Sequence, residues 1–156
     1  MKTHWVKFVV SILMCQAAGT IGSLFTSSSI PTWYAMLNKP AFNPPNWIFA
    51  PVWIFLYILM GISFYLIWIK SDVPNFGFLL SAFLLQLVLN AFWTIIFFGL
   101  KSPLYAFIEI IILWIMILIC IISFYPVSKA ASILLIPYIL WVSLASILNF
   151  SLWRLN

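Results

Sequence analysis

The sequence predicts an all-α membrane protein: a bundle of five transmembrane helices with a long structured first loop acting as a lid, in a single domain over residues 1–156. Composition carries the first half of that prediction, because 66% of the residues are hydrophobic, 6% are charged and mean hydropathy is +1.20. A soluble domain of this size could not bury so much apolar surface. Segmentation carries the second half. Five apolar runs recur, each long enough to cross a hydrocarbon core of about 30 Å with about 20 helical residues. Lipid offers the backbone no hydrogen-bond partners, so each run must satisfy itself as a helix.

The first run covers residues 5–25. Lys2 and Lys7 followed by an apolar stretch and CQAAG resemble a cleavable signal peptide. The apolar character continues past that stretch through Ile21, Leu24 and Phe25, so the expectation is a retained helix. Ala18 and Gly22, four apart, suit close helix packing, although membrane helices also tolerate such small residues without it. Residues 26–44 then read as a loop carrying Trp33, Tyr34 and Phe42, with Trp47 just past its end. A loop this long is usually functional or disordered. Aromatic groups are costly to leave in water, so this one is expected to fold down over the bundle, the alternative being a belt at the headgroup level.

The second run, 45–69, follows Asn43, Pro44 and Pro45 and contains Pro51, which removes a backbone donor and should kink the helix. The third spans 77–99. Ser102 before Pro103 marks the start of the fourth, 103–125, and Pro126 ends it. The fifth, 129–153, contains Pro137, a second expected kink.

Charge excludes several function classes. Two acids and one histidine cannot supply the paired carboxylates or ligand sets of most hydrolases and metalloenzymes, so no metal is expected. The net charge of +5 is mostly interfacial lysine, which suits a lipid bilayer, and no basic stripe points to nucleic acid. Alternating the loops puts Lys2, Lys7, Lys70 and Lys129 on one side and Lys39, Lys101 and Arg154 on the other, a slight bias toward an inside N-terminus. Cys15 and Cys120 lie within apolar runs and read as packing residues. His4 reads as solvated. Glu109 is the one acid within a predicted span, so it is near-interfacial, protonated or hydrogen-bonded, in a structural role or in ligand or proton handling.

Several motifs carry a family resemblance. The stretch WYAMLNKPAFNPPNWIFAPVW at 33–53 resembles the signature of the TspO/translocator protein family, the tryptophan-rich sensory proteins. QLVLNAFWTIIFFG at 86–99 and PYILWVSLASILNFSLWRLN at 137–156 are similar to its third- and fifth-helix segments, and GTIGS in the first helix and Glu109 in the fourth extend the likeness over nearly the whole chain. The resemblance implies a multi-pass protein, expected in the bacterial cell membrane. It also implies a homodimer and a pocket under the first loop for a tetrapyrrole such as protoporphyrin IX, with sterols or synthetic ligands in some members, and no required cofactor. Some members are associated with light-dependent oxidative breakdown of the bound porphyrin. Sterol recognition elsewhere in the family uses a tyrosine where Phe150 stands here between Leu148 and Arg154, which argues against cholesterol.

The residues themselves agree with such a pocket. Trp53 and Tyr57 share one helix face, Gln86, Asn90 and Trp93 form a second stripe, and Trp141, Ala145 and Asn149 a third. With Trp33 and Tyr34 from the loop, Trp53, Tyr57, Gln86, Asn90, Trp93, Trp141 and Ala145 are the expected ligand contacts. Gln86, Asn90 and Asn149 also serve equally well as interhelical glue. Ala145 would matter by being small. Two functions follow: a tetrapyrrole-binding protein or sensor, or an enzyme-like photo-oxidation in which Trp53 or Trp141 donates an electron or hydrogen atom to the excited ring. Transport of small hydrophobic ligands has less support, since no inverted repeat is visible.

Overall fold

The computed structural model describes residues 2–156, with side chains described from His4 onward; the Lys2 side chain used in the orientation reading lies outside that set. Five membrane-length helices form the bundle: His4–Tyr34, Asn46–Trp68, Phe76–Gly99, Pro103–Phe124 and Lys129–Leu155. In detail these are α1 (Lys2–Ser29) with a π-helical turn at Ile30–Tyr34, α2 (Asn46–Trp68), and α3 (Phe76–Thr94) with a second π-helical turn at Ile95–Gly99. α4 (Pro103–Phe124), the short α5 (Lys129–Leu134) and α6 (Ile136–Leu155) complete the chain. α1 packs on α2 and α3, α3 on α4, and α4 on α6, while α5 fills the end beside α2.

The expected loop at 26–44 is mostly helix. Pro31 has no N–H to return to the preceding turn, and the π-helical turn around it absorbs the missing donor so that the helix continues. The hydroxyls of this stretch bond back onto their own helix: Thr26 Oγ1 donates to Gly22 O at 3.1 Å and Thr32 Oγ1 to Ser28 O at 2.7 Å. In lipid such self-satisfaction is favoured, because a loop would leave carbonyls bare. The true connection is residues 37–45. It is tied to the chain end by Asn38, whose N–H donates to Asn156 Oδ1 at 2.9 Å while Asn156 Nδ2 donates to Asn38 O at 3.1 Å.

Of the four aromatic groups expected to fold inward, Tyr34 is buried and Trp33 is half-buried against Phe97. Phe42 and Trp47 face outward. Trp47 is the second residue of α2, at the end of a span, where an indole is most favourable at the headgroup level.

Pro51 lies inside α2, whereas Pro137 sits in the first turn of a new helix, so the fifth span breaks at Leu135 rather than bending. The break is held from both sides: Ser63 Oγ donates to Ala131 O and Ser132 Oγ to Ile121 O, each at 2.7 Å. Several lysines also do more than meet headgroups. Lys7 Nζ donates to Trp68 O at 3.0 Å, and Lys39 Nζ to Ala35 O and Leu37 O at 3.1 Å each, neutralising the carbonyl ends of α2 and of the first span. Gly61 decides how near α1 can come, since a Cβ there would lie 2.8 Å from Ile12 Cα. α1 and α2 are therefore tightest in the half away from the 37–45 connection.

Candidate functional site

Toward the 37–45 connection, α1, α2, α3 and α6 enclose a cavity of about 530 Å³, within the range of about 300–1,000 Å³ usual for small-molecule sites. Its aromatic wall comes from three helices. On α2, Trp53 stacks on Tyr57 with ring centroids 5.5 Å apart and meets Tyr138 of α6 edge-on at 6.2 Å. Tyr57 is held by a buried relay: its hydroxyl donates to Asn90 Oδ1, and Asn90 Nδ2 donates to the Tyr138 hydroxyl at 2.9 Å. On α3, Trp93 stacks on Phe97 at 5.3 Å and donates its indole N–H to Asn149 Oδ1 at 3.0 Å. Asn149 in turn donates to Pro103 O at 2.7 Å, fastening the α3 indole to α6 and α4. Trp141 and Ala145 complete the α6 side, with Phe49 edge-on to Trp141 at 6.0 Å.

Among the expected contacts, Tyr34, Trp53, Tyr57, Trp93, Trp141 and Ala145 line this cavity. Trp33, Gln86 and Asn90 do not. Trp33 packs behind the wall on Phe97, and Asn90 acts through the tyrosines it connects. Gln86 and Glu109 are buried elsewhere in the bundle, and their side-chain polar atoms have no hydrogen-bond partner.

Other lining residues were not singled out in the sequence. Both π-helical turns contribute, through Ile30 beside the expected Tyr34 from one and Phe97 and Phe98 from the other. The α1 side is polar, with Gln16, Thr20, Ser23 and Ser27 in the wall. Their spacing places them on one helix face, a signal readable from sequence once the helix is known to extend beyond residue 25. Gly19 is a further determinant: a Cβ there would collide with the Tyr57 ring. Among the described residues no three His, Cys, Asp or Glu side chains converge to hold a metal. The arrangement suits stacking against a flat, hydrophobic ligand.

The TspO/MBR family model matches residues 11–154. The chain belongs to the TspO/MBR family. It is 46% identical over 151 residues to the tryptophan-rich protein TspO of Archaeoglobus fulgidus, covering 97% of each chain. It is 42% identical to the TspO of Chlorobaculum tepidum, over 100% of this chain and 99% of that one, and 33% identical to the translocator protein of Bos taurus, over 100% and 94%. With five spans and TspO/MBR membership, this is a multi-pass membrane protein. The relatives come from archaea, bacteria and mammals, so membership does not by itself select the membrane.

Proposed function

We propose that this TspO/MBR protein binds a tetrapyrrole of the protoporphyrin IX type within the membrane and acts as a sensor or sequestering protein for it. The observation that carries the reading is the cavity walled by Trp53, Tyr57, Trp93 and Trp141. Stacking adds about 0.5–1.5 kcal/mol per aromatic pair beyond the burial of area, and a macrocycle can engage several such faces at once. A relative in Cereibacter sphaeroides, 32% identical, is named a tryptophan-rich sensory protein, which supports the sensor reading. The test is a tryptophan-fluorescence titration of the protein in lipid nanodiscs with protoporphyrin IX. Saturable quenching is expected, weakened by Ala145→Phe, which fills the space beside Trp141; absence of saturation overturns the proposal.

A second reading has its own observation, since Trp53 and Trp141 share the wall of one cavity. On illumination in air, either indole could reduce the excited pigment while oxygen attacks the ring. Product formation lost in Trp53→Phe or Trp141→Phe, with binding retained, supports it; equal pigment loss with denatured protein removes it. Transport is favoured by the name translocator protein of the mammalian relatives, and flux into sealed vesicles tests it. We carry the homodimer and the bacterial cell membrane as parts of the proposal. Phe78, Leu85 and Phe92 present an apolar α3 face that a second copy could cover, and the mass of the detergent-solubilised protein decides that point.

A further inference from the structure

The cavity has an open side and no charge. Thr20, Ser23 and Ser27 on α1 and Asn46, Ala50 and Ile54 on α2 line it and are also exposed, so the two helices part here and leave a slot facing the bilayer. The slot closes where Gln16 Nε2 donates to Ile54 O at 3.2 Å, beyond which Gly61 brings the helices together. Asn46 begins α2 at the membrane edge, and Ile54 lies eight residues deeper, so the slot reaches about 12 Å into the bilayer.

Among the described residues, none that lines the cavity is Asp, Glu, Lys, Arg or His. Lys39, the cation of the adjoining connection, does not line it and is held on the carbonyls of Ala35 and Leu37 and over the Tyr34 ring at 4.9 Å. The two deeper slot hydroxyls are engaged as donors as well: Thr20 Oγ1 donates to Gln16 O at 2.9 Å and Ser23 Oγ to Thr20 O at 2.7 Å. A carboxylate drawn past Ser27 would lose its water and find neither a cation nor a free hydroxyl proton there.

We infer that the site selects flat amphiphiles by their uncharged face: the ring slides edge-on from the bilayer through the α1–α2 slot, and ionised groups stay at the Ser27–Asn46 end, in the headgroup layer. This rests on the tetrapyrrole reading and makes it narrower. Protoporphyrin IX, with both acids on one edge, fits; a macrocycle with acids around its whole rim does not.

The experiment titrates the nanodisc-embedded protein with protoporphyrin IX, its dimethyl ester and the octa-acid uroporphyrin. The ester should bind within about threefold of the free acid, and uroporphyrin at least about 100-fold more weakly. Affinity for protoporphyrin IX should change little between about 50 and about 500 mM salt. Ser27→Lys, placing a cation where the acids are expected, should shift preference toward the free acid by about threefold to tenfold and introduce salt dependence. An ester about tenfold weaker than the acid, comparable uroporphyrin binding, or an unchanged acid-to-ester ratio in Ser27→Lys overturns this inference while leaving tetrapyrrole binding intact. No saturable binding of any of the three overturns both.

Discussion

Gly19 and Asn149 each control an aromatic wall residue from outside the ring itself. At Gly19 even a methyl group meets the Tyr57 ring, so Gly19→Ala should push that ring aside, loosening its stack on Trp53 and its hydrogen bond to Asn90. Overpacking of this kind costs about 1–3 kcal/mol, and the variant should both melt earlier in detergent and bind protoporphyrin IX more weakly, read by thermal denaturation and by titration. Asn149→Leu removes the acceptor of the Trp93 indole N–H and the donor to Pro103 O. Interhelical hydrogen bonds in membranes average about 0.6 kcal/mol, so the stability loss should be small. The indole should be freed to rotate, and we expect affinity to fall by about threefold to tenfold with altered Trp93 fluorescence. A large loss of thermal stability with unchanged affinity would show that Asn149 serves the bundle alone.

The helices that matter most are the ones whose regularity is broken. Pro137, the second residue of α6, lies one residue before Tyr138 and four before Trp141, so the break at Leu135 sets the angle at which Trp141 enters the site and Tyr138 backs Trp53. Pro137→Ala restores a backbone donor and favours one continuous helix from Lys129 onward. It should stiffen the span yet weaken binding, measured by the same titration alongside helical content by circular dichroism. The connection at 37–45 has a separate anchor in the Asn38–Asn156 pairing and in Tyr34, whose hydroxyl donates to Asn43 Oδ1 at 2.7 Å. Asn156→Ala should leave the melting temperature within a few degrees of the parent while making that connection more sensitive to protease; unaltered cleavage would show that the pairing does not restrain it.

For the molecule as a whole, five spans require the two ends to lie on opposite membrane faces. The cation bias favours an inside N-terminus. A C-terminal alkaline phosphatase fusion in a bacterial host should therefore be active, and a fluorescent-protein fusion at the same point dark; the reverse pattern would invert the orientation. The interior is divided as well. Phe64 stacks on Phe83 at 4.6 Å in the solid half of the bundle, while the half near the 37–45 connection holds the cavity. Tight packing at Gly61 and separation beyond Gln16 thus belong to the same pair of helices.

Composition and apolar run length were enough to determine the membrane class and the five spans, because hydrocarbon demands the same length and self-satisfaction of any helix. The indole-rich motif at 33–53 and the segments at 86–99 and 137–156 were also enough to suggest the family. Helical spacing correctly grouped Trp53 with Tyr57 and Trp141 with Ala145 on common faces. It did not reveal that α1 continues past its serines, because seryl hydroxyls that favour turns in water bond back to helix carbonyls in lipid. Nor could it separate Asn90, behind the wall, and Gln86, buried elsewhere, from Trp93 in it: one helix stripe faces both a cavity and a packed partner, and only the neighbouring helices divide the two. The slot and the uncharged wall arise from contacts between residues far apart in the chain, so only the tertiary structure decided them.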